Sequence, residues 1–281
     1  MSATSLPASL PGASPTTRDA TSALWLPAFS LWWREVVRFY RQRTRVIGTI
    51  LSPLIFWFII GSGFGSSVHQ AGGTPQKFLA YFFPGSLTMI VLFTSIFSMM
   101  SLIQDRNEGF LLSVMAAPIN RAAIVLGKVL GGTTLAALQG LLFLVFAPMV
   151  GVHLGLVDLT MVAVTVFLVA FMLTALGFVI AWPMDSPQAF HAIVNVILIP
   201  IWMLSGALFP LNTASAWLRT IMLGNPLTYG QNALLTLMHL QPDSTTTAAA
   251  FGSIAALLLF CAIVFAIAFV VVNRRTTKPA A

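Results

Sequence analysis

Charge is what this sequence has least of: 7% of its 281 residues are Asp, Glu, Lys or Arg, and only seven are acidic. Soluble domains carry about 25% charged residues, so a chain that is 58% apolar has too few to cover a water-facing surface. The bilayer is its natural solvent. Cysteine is nearly absent as well. Cys261 stands alone inside an apolar run, which excludes disulfides within the chain and paired-thiolate metal sites. The histidines His69, His153, His191 and His239 come without HExxH or similar ligand spacing, so no metal centre and no catalytic residue is expected. GSGFG (Gly61–Gly65) follows an apolar run instead of a strand. Gly127-Lys128 lacks both the earlier glycine and the following Ser/Thr of a phosphate loop. The chain therefore reads as having no nucleotide site and no cofactor of its own. No long apolar run has an acidic residue near its centre, which argues against proton- or sodium-coupled transport. The 14 basic residues are too few and too scattered for a nucleic-acid stripe.

What is present is a series of long apolar runs. A helix needs about 20 mostly apolar residues to cross about 30 Å of hydrocarbon. Six segments qualify, at 46–64, 80–103, 123–150, 159–182, 188–210 and 247–272. The runs are continuous, without the alternation of barrel strands, and helices keep their backbone bonds within the segment. With both termini cytoplasmic, Arg18, Arg34, Arg38, Arg41, Arg43, Arg45, Arg106, Arg121, Lys128, Arg274, Arg275 and Lys278 lie inside, and only Lys77 and Arg219 outside. That bias sets the expected orientation. The Ser-, Thr- and Pro-rich residues 1–22 read as a disordered tail, not a signal peptide.

Three further segments are amphipathic but too short or too polar to span. In FSLWWREVVRFYRQRTR (Phe29–Arg45), Phe29, Trp32, Trp33, Val36, Val37 and Tyr40 recur at helical spacing, with Arg34, Arg38, Arg41 and Arg45 opposite and Glu35 among them. Such a helix lies in the interface with its arginines toward anionic headgroups, either as an anchor alone or also as a docking surface. The second segment is RNEGFLLSVMAAPINRAAIVLGK (Arg106–Lys128). Asn107 is placed to cap a short helix whose apolar face is Phe110, Leu111, Val114 and Met115. Pro118 stops it, and Asn120 caps the next span. It is either an ordinary charged loop or a helix lying across the cytoplasmic side. The third is LFPLNTASAWLRTIMLGNPLTYG (Leu208–Gly230), where Asn212 is placed to cap a helix ending at Gly224 before Asn225-Pro226. It is a surface or re-entrant helix on the outer side. Within the spans, His191 and Asn195 are the best polar pair, one turn apart. They either hold a neighbouring helix or touch a substrate.

Together these segments resemble the permease subunit of ABC-2 type exporters over residues 25–275. The family's cytoplasmic motif is matched by Glu108, Gly109, Leu111, Leu112, Pro118, Arg121, Gly127 and Lys128. The position after Gly109 is often Thr in the family and is Phe110 here. The outer motif is matched by Phe209-Pro210 and by Asn225, Pro226, Leu227 and Tyr229. The resemblance implies an all-α membrane protein with an interfacial helix at 23–45, a six-span domain at 46–275 and a short cytoplasmic tail at 276–281. It implies two ABC ATP-binding subunits carrying ATP and Mg²⁺, and a second permease subunit, identical or related. The helix between spans two and three becomes a coupling helix, with Phe110, Leu111, Val114 and Met115 as an apolar knob and Glu108 and Arg121 as rim charges. Trp32, Trp33, Arg34, Glu35, Arg38 and Arg41 belong to the helix beside it. The implied cargo path offers Tyr81, Phe82, Phe83, His191, Asn195, Trp202 and Phe209. The implied function is ATP-driven export of an amphipathic or lipid-linked cargo across the cytoplasmic (inner) membrane. The other readings are a membrane scaffold or assembly factor, and a membrane-embedded lipid-processing enzyme.

Overall fold

The computed structural model describes residues 17–41, 75–117, 119–208, 214–240 and 247–274, with Leu211 and scattered positions between 47 and 59. Among these residues the chain is all-helical, without a strand. Five helical stretches are long and apolar enough to cross a membrane: Leu79–Asn107, Arg121–Val150, Leu156–Ala181, Pro187–Ala207 and Ala250–Arg274. The first expected span, 46–64, is described only at scattered positions from 47 to 59, and with the rest of it the count of six lies outside the described residues.

Helix α1 (Thr17–Arg41) begins within the segment expected to be a tail. The second expected span is built from α2 (Pro75–Ser98) and α3 (Met100–Asn107), joined at Met99 by short-turn bonds. It therefore runs past residue 103 and carries Asp105 inside the apolar stretch. A short helix α4 (Phe110–Ala116) follows. Helix α5 (Arg121–Phe143) starts as expected from Asn120, whose side chain accepts a bond from the Ala122 amide at 3.0 Å. It tightens into a 3₁₀ segment, Leu144–Val150. After α6 (Leu156–Ala181), a tight turn leads to α7 (Pro187–Trp202), with Ser186 as cap and proline in the first turn. A π-helical stretch, Met203–Ala207, ends it. Then come α8 (Ala216–Gly224), α9 (Pro226–Leu237) and α10 (Thr247–Arg274).

Helices α2, α5 and α6 form the centre, where Leu87, Ile90, Ile96, Val129, Val166 and Leu173 are fully buried. Phe83 stacks on Phe143 at 4.7 Å, and Trp57 meets both rings edge-on. Lipid tails are as apolar as these side chains, so association rests on close packing more than on expelling water. The approach of α1 to α5 illustrates it. A Cβ at Gly127 would lie 2.7 Å from both the Ala28 carbonyl and the Leu31 Cβ, and one at Gly131 would lie 2.7 Å from the Glu35 Cβ. This Gly-x-x-x-Gly pair lets the helices touch along their backbones.

Substituting Gly131→Leu forces α1 away from α5, an overpacking that costs about 1–3 kcal/mol. The melting temperature of the detergent-solubilised protein should fall by several degrees. Gly252→Ala in α10, where nothing lies within 4 Å, should leave it unchanged or raise it.

Candidate functional site

Two sets of fastenings stand at opposite ends of the bundle. At one end, Asp105 is fully buried and takes four donated bonds. Arg34 grips it with both Nη atoms, at 2.9 and 2.7 Å. Arg38 Nη1 donates at 2.9 Å, while its Nη2 donates to Gln104 at 2.9 Å. Lys128, also buried, donates to Asp105, to Glu35 at 2.6 Å and to Ser101 at 3.3 Å. Spacing explains the convergence: Arg34 and Arg38 are one turn apart on α1, as are Ser101 and Asp105 along α3. Arg34 and Arg38 of α1 thus reach into the protein, where the sequence reading aimed them at lipid headgroups. A buried carboxylate needs them more than an exposed surface does.

The same end holds α4. Gly109 adopts a left-handed conformation (φ 75°) that favours glycine, and it opens α4 in the role expected of Asn107. Asn107 instead closes α3, and its amide donates to the Asp185 carbonyl at 3.2 Å. Leu111 is buried, and Phe110, Val114 and Met115 pack against the core. The apolar face expected to meet a partner therefore faces this chain. The Arg34 guanidinium lies 3.6 Å from the centre of the Phe110 ring, a cation–π contact that ties α4 to the Asp105 cluster. The outward side of α4 presents Leu112, 65% exposed, with Ser113 and Ala116. Ala117 is extended, as suits a residue before proline; Pro118 itself is outside the described residues. Glu108 is exposed, 3.7 Å from Arg38, and Arg121 opens α5. Arg106 donates to the carbonyls of Trp182 at 2.6 Å and Met184 at 3.0 Å, clasping the turn between α6 and α7.

At the other end, the fastenings are neutral. The Asn225 side chain accepts from the Leu227 amide at 3.0 Å and donates to the Ile201 carbonyl at 2.6 Å. Thr228 donates to Met222 at 2.7 Å, and Tyr229 to Leu223 at 2.9 Å. Pro226 starts α9 and Leu227 is fully buried. The NPLTY segment thus begins a helix that sequence reading missed, and pins it to both α8 and the end of α7. Helix α8 does end at Gly224 as expected; Asn212 is outside the described residues.

A profile of the family described as ABC-2 type transporter matches residues 28–239. The chain belongs to that family. As a permease it is 28% identical over 203 residues to the ycf38 protein of Cyanophora paradoxa, named as a transport permease; the match covers 72% of this chain and 70% of that one. It is 24% identical over 214 residues to the daunorubicin resistance ABC transporter permease protein DrrB1 of Streptomyces coeruleorubidus, covering 74% and 73%. Nodulation protein J of Rhizobium leguminosarum bv. trifolii is 26% identical over 235 residues, covering 77% and 87%. This is a multi-pass membrane transport protein, and its family implies partnership with an ABC ATP-binding subunit.

The residues expected along a permease cargo path divide. Phe82, Phe83 and Trp202 are buried packing groups: Phe82 meets Trp202 edge-on at 6.3 Å, and the Trp202 indole donates to the Gly85 carbonyl at 2.8 Å. Tyr81 donates to the Gly206 carbonyl at 3.1 Å. Phe82 and Tyr81 are taken up where α2 meets the end of α7, and Phe83 by Phe143 of α5 and Trp57, so within this chain the buried rings do not line an open path. His191 is exposed on α7 against Phe97, ring centres 4.8 Å apart, and Asn195 is half-buried one turn on. Phe209 is outside the described residues. On α1, Trp32 donates to Thr134 at 3.0 Å, while Trp33 and Arg41 are exposed. Sequence reasoning missed the buried cluster. Its signal was Lys128 standing inside an apolar run, with Asp105 and Glu35 as its candidate partners.

Removing one member of a buried ion cluster costs about 3–5 kcal/mol, because the others stay buried and unpaired. Lys128→Met should therefore lower the melting temperature sharply. Adding Glu35→Gln to it should recover part of the loss, which a double-mutant cycle measures.

Proposed function

We propose that this permease is the membrane subunit of an ATP-driven exporter moving an amphipathic or lipid-linked cargo such as a drug, lipid or polysaccharide. ATP and Mg²⁺ sit on a separate ATP-binding subunit, two copies of which serve two permease subunits, identical or related. The permease has six spans, the first within 46–64, and both termini face the cytoplasm of the inner membrane. The carrying observation is the attachment of α4 to the Asp105 cluster through Arg34 and Phe110. A push on the outward side of α4, at Leu112, reaches α1, α3 and α5 together, because the buried Asp105 ties their charged side chains to one another.

In this reading Leu112 and Ser113 meet the ATP-binding subunit, with Glu108 and Arg121 as rim charges that set orientation more than affinity. Phe110, Leu111, Val114 and Met115 transmit the motion inward. Closure of the ATP-bound pair then moves α1 and α4 as one piece, a rigid-body switch driven by differential binding of ATP to two states. The Asn225–Tyr229 fastening caps the far end of the path, and the exposed side of α7 around His191 and Asn195 faces it.

Leu112→Asp should abolish co-purification of the co-expressed ATP-binding subunit without changing the amount of permease in the membrane. Undiminished co-purification would remove α4 from the contact. Orientation is checked in a Cys261→Ser background. Ser113→Cys should react with an impermeant maleimide only in inverted vesicles, and Ser215→Cys only in intact cells; the reverse pattern would invert the topology.

A further inference from the structure

One side of α1 carries a groove of about 410 Å³ lined by Ser30, Trp33, Arg34, Val37, Arg38 and Arg41. Its size falls within the roughly 300–1,000 Å³ of small-molecule sites. It lies away from the Ala28, Leu31 and Glu35 side that packs on α5. The Ser30 hydroxyl donates to the Pro27 carbonyl at 2.9 Å, so the groove's donors are the guanidinium edges and the Trp33 indole. Arg34 and Arg38 are only partly covered by Asp105, with 31% and 24% of their side chains exposed. Arg41 is exposed and has no ion pair among the described residues.

Charge leaves room for one anion. Arg34, Arg38 and Lys128 face Asp105 and Glu35, three positive groups against two negative. Glu108 adds only a long, exposed contact at 3.7 Å, and Arg41 adds another positive charge. Arginine forks match phosphate oxygens. Beside the groove, Trp25, Leu26, Phe29 and Tyr40 are all more than 60% exposed, forming an aromatic stripe of the kind that sits among acyl chains at an interface. A ligand that satisfies both surfaces has one anionic phosphate and long apolar tails.

We propose that this groove binds a single anionic phospholipid, its phosphodiester on Arg41 and the free edges of Arg38 and Arg34, its acyl chains along Trp33 and Phe29. The two arginines that hold Asp105 are then shared with the lipid, so occupancy braces α1 where it meets the buried cluster. The site does not depend on ATP coupling and stands if that reading fails.

Native mass spectrometry of the purified full chain, titrated with phosphatidylglycerol or phosphatidylcholine, tests this. The expected result is one phosphatidylglycerol retained per chain in preference to phosphatidylcholine, and not displaced by excess inorganic phosphate. Arg41 lies outside the Asp105 cluster, so Arg41→Gln should elute as the folded protein yet bind phosphatidylglycerol about fivefold more weakly, the factor that one basic residue contributes at an anionic surface. Arg41→Lys, which keeps the charge, should bind more tightly than Arg41→Gln. Equal retention of the two lipids, unaltered binding by Arg41→Gln, or displacement by phosphate would overturn the proposal. So would a groove that takes the ATP-binding subunit and not phosphatidylglycerol.

Discussion

The buried carboxylate of Asp105 is the constraint around which one end of this permease is organised. An ionised group in an apolar surround is tolerated only when its lone pairs are met by charged donors. Here Arg34 and Arg38 of α1 and Lys128 of α5 meet them. Each donor comes from a different turn or helix, so the requirement of one side chain fixes the relative placement of α1, α3 and α5. Glu35 then completes Lys128, on the same face where Gly127 and Gly131 let α1 lie against α5.

Helix α4 inherits its position from that cluster. Its inward face is ordinary apolar packing, but Arg34 spans from Asp105 to the Phe110 ring, so a displacement of α4 disturbs charged bonds and not only side-chain contacts. The far end uses another chemistry. Asn225, Thr228 and Tyr229 all donate to backbone carbonyls where helices end or break. Neutral bonds of this kind are individually modest and exchange partners with less penalty than a buried charge. One end of the bundle is thus fastened by buried charge and the other by neutral hydrogen bonds.

Periodicity and punctuation in the sequence located most of the described elements. The apolar runs marked the spans, Asn120 marked a helix start and Gly224 a helix end. The errors were errors of direction. The apolar face of Phe110, Leu111, Val114 and Met115 was legible, but a short amphipathic helix reads the same whether its face meets its own chain or another. The arginine face of α1 was legible too, but a one-dimensional pattern does not reveal that Arg34 and Arg38 also hold a carboxylate dozens of residues away. Helix α9 was missed because its polar residues Gln231 and Asn232 dilute the apolar pattern of a segment that is largely buried.

By itself, the sequence determined the solvent, the helical class and the family, because each follows from composition or from residues close together along the chain. Tertiary structure alone decided which charges are buried together. It also turned Phe82, Phe83 and Trp202 from candidate path residues into packing groups, and left Leu112 as the outward residue of α4. The physical reason is that burial and pairing belong to surfaces brought together from distant segments. Arg34 and Asp105 are 71 residues apart, and nothing local in either stretch announces the other.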